Sequence, residues 1–177
     1  TLPFVDSTGR HTTSGGVLSG GSTLVVAGQA GPAGGVAING NIKDFSLVRN
    51  FDVSCTINMT THVGTDKVIW TLRNGTGDPY PIEVYVNNTG HVVAYLNAFG
   101  TSLSSSSSGY TIPLSTPVEV RLTKLGTAVS LSCGGVLRAS GTAGVLVRSL
   151  RRLYIGYLPG VPVSFGGTID DFSWVNS

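Results

Sequence analysis

The stretch Phe51-Asp52-Val53-Ser54-Cys55-Thr56-Ile57-Asn58-Met59 decides the fold class. Phe51, Val53, Cys55, Ile57 and Met59 fall on one side of an extended chain, and Asp52, Ser54, Thr56 and Asn58 fall on the other. A period of two held this long marks a strand with one face in a core and one in water. Just downstream, Val68, Trp70 and Leu72 alternate with Ile69, Thr71 and Arg73, which predicts a second half-buried strand. No stretch carries a convincing helical stripe.

Two hairpins follow. Ile82, Val84 and Val86 share a face, as do Val92, Ala94 and Leu96. Matching these faces sets Val86 opposite Val92, Asn87 beside His91 and Glu83 beside Tyr95. Asn88-Thr89-Gly90 is then a three-residue loop, with Gly90 at its left-handed position. In the second hairpin, Val118–Leu122 and Val129–Cys133 pair with Leu122 opposite Val129, which leaves Leu125-Gly126 as a two-residue turn. Between the hairpins, Thr101-Ser102-Leu103 and the run Ser104–Ser108 read as a mobile low-complexity loop. The glycine-rich stretch Gly28–Gly40 reads as loop plus a short strand. Leu153 and Ile155 mark another strand, and Thr168–Val175 the last.

With 177 residues, 25 of them glycine, and only 11% charged, the chain suits one domain of short strands joined by glycine turns. Many short strands with one continuous apolar set predict an all-β, two-sheet antiparallel sandwich over residues 1–177. An immunoglobulin-like domain is the rival, because Trp70 lies between Cys55 and Cys133. The chain is too long for one such domain, and no tyrosine stands two residues before Cys133.

A net charge of +2 makes no nucleic-acid footprint. Arg138, Arg148, Arg151 and Arg152 read as a solvated strand edge. No apolar run approaches the ~20 residues of a membrane span, so no membrane insertion is expected. No basic-then-apolar leader opens the chain at Thr1, which leaves secretion open. Sequons at Asn58, Asn74 and Asn87 occur at about the frequency chance would give. Cys55 and Cys133 both fall on apolar faces and read as buried, unbridged thiols, with a core bridge between them as the alternative.

Four segments, in order, resemble the laminin-G-like domains of the concanavalin superfamily. The opening Asp6-Ser7-Thr8-Gly9-Arg10-His11 is similar to that family's D-S-[ST]-G-x-H turn. Leu131–Leu137 is similar to its L-x-V-x-G-x-L hairpin, and Leu153-Tyr154-Ile155-Gly156 to the L-x-I-G strand that follows. Gly166-Gly167-Thr168-Ile169-Asp170-Asp171-Phe172 looks like its closing G-x-I-D-D strand. The resemblance implies a jelly-roll sandwich and a carbohydrate-binding or adhesion role, on a secreted protein, a cell surface or a virion of a phage or other virus. It does not by itself establish function.

Catalytic patterns are missing. Glycoside hydrolysis needs two carboxyl groups facing one sugar, and the only glutamates, Glu83 and Glu119, each stand alone on a strand. There is no G-x-S-x-G, no phosphate loop and no H-E-x-x-H, and His11, His62 and His91 lack metal-ligand spacing. Binding therefore leads. The outward face of the first hairpin carries Glu83, Tyr85, Asn87, His91, Val93, Tyr95 and Asn97, joined by Arg73 and Thr71 if the Trp70 strand lies alongside. Aromatic faces with amides and carboxylates suit a glycan or glycoprotein surface. An ordinary wet sheet face offers the same residue types. The competing reading is a structural or cementing protein of a virion or other assembly, whose partners are other shell or surface proteins.

In the closing strand, alternation puts Asp170 on the core side with Phe172 and Trp174, while Asp171 faces water. A core-side carboxylate must be paired or bound. The resemblance implies that Asp170, with Asp6 and nearby carbonyls, could hold a structural Ca²⁺. The alternative is that Asp170 accepts backbone N–H bonds from the N-terminal turn.

Overall fold

The computed structural model describes residues 12–14, 17–18, 24–26, 36–39, 50–74, 78–79, 81–145, 152–156, 158 and 165–176. They form two antiparallel sheets. The first runs, in spatial order, β1 (Thr12–Ser14), β4 (Val36–Asn39), β13 (Arg152–Ile155), β6 (Lys67–Arg73), β7 (Ile82–Val86), β8 (Val92–Leu96) and β9 (Thr101–Ser104). The second runs β12 (Val136–Thr142), β11 (Ala128–Cys133), β10 (Val118–Leu125), β5 (Phe51–Met59), β14 (Gly167–Asn176), β3 (Leu24–Val26) and β2 (Val17–Leu18). This is an all-β jelly-roll sandwich.

β5 behaves as its sequence dictates, with odd-numbered residues buried and even-numbered ones half-exposed. Facing it across the sandwich are Trp70, Leu72, Ile82, Val84, Val86, Ala94 and Leu96, all essentially excluded from water. Trp70 holds the layers together through edge-on contacts with Trp174 (ring centroids 5.7 Å apart) and Phe172 (6.5 Å). Such aromatic pairs add about 0.5–1.5 kcal/mol beyond the area they bury.

The first hairpin has the expected register, with Val86 on Val92 and Glu83 on Tyr95. Gly90 sits at φ 84, where a Cβ would come within 2.8 Å of the His62 ring. The second hairpin keeps its faces but shifts by two residues. Leu122 opposes Leu131 rather than Val129, and Leu125 opposes Ala128, so the turn is Gly126-Thr127. A shift of two leaves every side chain on its own face, so apolar pattern cannot choose between the registers. Gly126, at φ 60, chooses by occupying the first turn position.

Alternation fails at two bulges. In β6, Val68 opposes Tyr85 and Trp70 opposes Val84, which leaves Ile69 as the extra residue. Val68 therefore shares the outer face with Tyr85 instead of lining the core with Trp70. In β14, Asp170 opposes Thr56 and Ser173 opposes Ser54, so Asp171 and Phe172 share the place facing Cys55. Asp171 takes a left-handed φ of 51. Asp170 consequently lies on the outer face with Thr56, not on the core side with Phe172 and Trp174.

Two further expectations change. The serine run is not a mobile loop: Thr101–Ser104 is strand β9, and Ser105–Ser108 is a 3₁₀ turn whose Ser106 N–H donates to the Ser104 side chain. Ser105 is fully buried, donating to the Tyr110 carbonyl and accepting from the Val92 N–H. Arg152 lies on β13, an interior strand rather than an edge, while Arg148 and Arg151 lie outside the described residues. Arg138 stacks on the Tyr110 ring, 3.8 Å from its centroid.

Cys55 and Cys133 are free and buried, as their apolar faces predict. Both oppose Val120, from strands on either side of β10. Two strand spacings place their Cα atoms about 10 Å apart, beyond the reach of a disulfide.

Candidate functional site

The outer face of the first sheet carries a cleft of about 410 Å³. Its described lining comprises Thr65, Asp66, Val68, Glu83, Tyr85, Tyr95 and Leu158. Three elements build it. β7 and β8 present Glu83, Tyr85 and Tyr95 by simple alternation, with Glu83 directly opposite Tyr95. The β6 bulge turns Val68 outward to form an apolar floor, only 3% exposed, beside Tyr85. The segment entering β6 supplies Thr65 and Asp66, both exposed.

Glu83 is anchored by its neighbours. Its Oε1 pairs with the Arg73 guanidinium and accepts from the Thr71 hydroxyl at 3.4 Å. The Thr71 hydroxyl also donates to the Ile82 carbonyl at 3.1 Å, and Arg73 Nε reaches the same hydroxyl. Arg73 is only 6% exposed. Its charge thus orients Glu83 instead of greeting a ligand. The Tyr85 hydroxyl is pushed above its ordinary pKa by burial, then by Asp66, Glu83 and Tyr95. Tyr95 remains 38% exposed, an open ring face at the rim.

Of the residues singled out from sequence, Glu83, Tyr85 and Tyr95 line this cleft together, with Arg73 paired to Glu83. Asn87, His91 and Asn97 are not among its lining. The Asn87 side-chain oxygen accepts from the N–H groups of Thr89 and His91 and from the Thr89 hydroxyl, closing its own loop. His91 Nδ1 lies 2.8 Å from the Tyr110 carbonyl. The Asn97 amide donates to the Pro79 carbonyl. Sequence reading missed Thr65, Asp66, Val68 and Leu158. Val68 was hidden by the bulge, and the others lie outside any periodic pattern.

The two glutamates cannot form a hydrolytic pair. Glu83 is on β7 of the first sheet and Glu119 on β10 of the second. Asp66 shares the cleft with Glu83, whose Oε1 is held by Arg73 and Thr71. Among the described residues no cluster of three His, Cys, Asp or Glu side chains could hold a metal. Asp170 offers one donor suited to a cation, a buried Oδ1 with no hydrogen-bond partner. Asp6 lies outside the described residues, as does the rest of the opening motif. No helix is long and apolar enough to cross a membrane.

No family profile matches the chain, and no curated protein matches its sequence. Solved structures do match. The structure on cell entry of botulinum neurotoxin type C, reported as dependent on two ganglioside molecules, aligns over 96% of this chain and 44% of its own, with TM-score 0.64 and 13% identity. Domains LG4-5 of mouse laminin alpha1 align over 93% and 40%, with TM-score 0.55 and 14% identity. Trypanosoma rangeli sialidase aligns over 86% and 25%, with TM-score 0.65 and 13% identity. The chain therefore spans less than half of each neighbour's length. At these identities the likeness establishes the shared jelly-roll sandwich fold.

Proposed function

We propose that the protein is a non-catalytic recognition module that binds a saccharide in the first-sheet cleft. The observation that carries this reading is the pairing of two tyrosine rings, Tyr85 and Tyr95, with the fixed carboxylate of Glu83 around one apolar floor. Sugars present C–H faces that stack on aromatic rings and hydroxyls that donate to oriented carboxylates. The ganglioside dependence reported for the type C neurotoxin favours a glycan or glycoprotein surface as partner. A place outside the cell or on a virion surface follows from that role. The test is a glycan array with the wild type and the Tyr85→Ala/Tyr95→Ala double variant. Wild-type binding should be lost in the variant while its melting temperature stays close to wild type. Undiminished binding by the variant would remove the cleft from the account.

A scaffolding or cementing role draws on a different observation. The edge strand β12 exposes Val136 (51%) and Leu137 (57%), and such an edge can accept a neighbouring chain. Native mass measurement separates the readings, since a stable self-assembly without saccharide binding favours the second. Asp170 with Asp6 remains the proposed seat of a structural Ca²⁺, supported by the partnerless Asp170 Oδ1.

A further inference from the structure

The geometry points to a cleft that takes neutral or amino-bearing saccharides and rejects sialylated, sulfated or otherwise anionic ones. This rests on the saccharide reading above and adds the ligand's charge class. The ionisable side chains lining the cleft in the described structure are acidic or phenolic: Asp66, Glu83, Tyr85 and Tyr95. Among the described residues, Arg73 stands on the same outer face beside Glu83, is 6% exposed and is engaged with Glu83 and Thr71. It neutralises one carboxylate and is not among the described lining of the cleft. Asp66 is exposed on the rim. A carboxylate or sulfate seated between the rings would face Asp66 across an apolar floor formed by Val68, where water screens charge poorly.

The same arrangement favours hydroxyls and ammonium groups. A carboxylate is an acceptor only, with two oxygens that can each take donors, so vicinal hydroxyls can bridge the Asp66 oxygens or the free Glu83 Oε2. The raised Tyr85 hydroxyl, shifted by burial and by Asp66 and Glu83, is in keeping with a negative field inside the cleft. Electrostatic matching of this sort sets specificity more than raw affinity. The device is rejection as much as attraction.

The test prints matched neutral, amino, sialylated and sulfated oligosaccharides on one array and probes it with wild type, Asp66→Asn and Tyr85→Ala/Tyr95→Ala. Asp66 is exposed, so its amide variant should fold as wild type does. Neutral or amino compounds should bind at least about tenfold more tightly than their sialylated or sulfated counterparts. Asp66→Asn should narrow that gap, and raised salt should narrow it too. Sialylated or sulfated compounds binding as tightly as neutral ones, with the double variant still abolishing binding, overturns the charge assignment and leaves the saccharide reading intact. A gap that Asp66→Asn leaves unchanged also overturns it. No binding to any spot overturns both.

Discussion

A tyrosine on a sheet face is an ordinary residue until its neighbours are fixed. Tyr85 and Tyr95 were legible as a pair because hairpin alternation and the Gly90 loop together set the register. Asn87, His91 and Asn97 share that face by the same parity, yet local backbone groups take up their polar atoms. Short polar side chains next to a turn routinely bond their own loop, and no sequence spacing announces it. Asn87→Ala should therefore cost about 1 kcal/mol of stability and leave saccharide binding unchanged, as urea unfolding and binding assays would show. The thiols give a second residue-level prediction. Burial pushes Cys133 up to about 11 and raises Cys55 as well. The unfolded chain, with thiols near 8.5, loses its protons first as pH climbs. Stability from this source is complete below about pH 8.5, then falls as pH rises toward 11. The urea midpoint should drop across that window and drop less in Cys133→Ala. An equal drop in wild type and variant would refute this cause.

At the scale of single elements, strict alternation predicted β5 residue by residue and misplaced Val68 and Asp170. One extra residue reverses every side chain beyond it, so each error has a single origin. The β6 bulge creates the floor of the cleft, and nothing in Val68-Ile69-Trp70 signals it, since all three are apolar. The β14 bulge carries a faint mark, because Asp tolerates the left-handed region better than most residues. Asp171, at φ 51, holds a left-handed conformation that β-branched residues adopt only at a cost. Asp171→Val should destabilise by about 1–3 kcal/mol, read as a lowered urea midpoint. Asp170 calls for a different measurement. If its partnerless oxygen serves Ca²⁺, added calcium raises the melting temperature, EDTA lowers it, and Asp170→Ala removes both responses. A melting temperature indifferent to both additions excludes the ion.

At the scale of the whole molecule, the sandwich follows from arithmetic that sequence can perform: short strands, each with one apolar face, must cover one another. Trp70 occupies the centre of that cover, and Trp70→Ala should cost about 3–5 kcal/mol. What sequence could not perform is the meeting of distant segments. Asp66, Tyr95 and Leu158 come to one cleft only because β13, β6, β7 and β8 lie side by side. The other outer face shows a different character, with the exposed Arg121–Asp52 pair set among Ser54, Thr56, Thr123 and Ser130. It offers no aromatic ring among those residues. The claim that binding belongs to the first sheet is tested most directly by titrating an array-positive oligosaccharide into isotope-labelled protein and following backbone amide shifts. The account predicts saturable shifts confined to residues 65–68, Glu83, Tyr85 and Tyr95, absent in the Tyr85→Ala/Tyr95→Ala variant. Shifts centred on β5 and β10, or around Asn87 and His91, would contradict it.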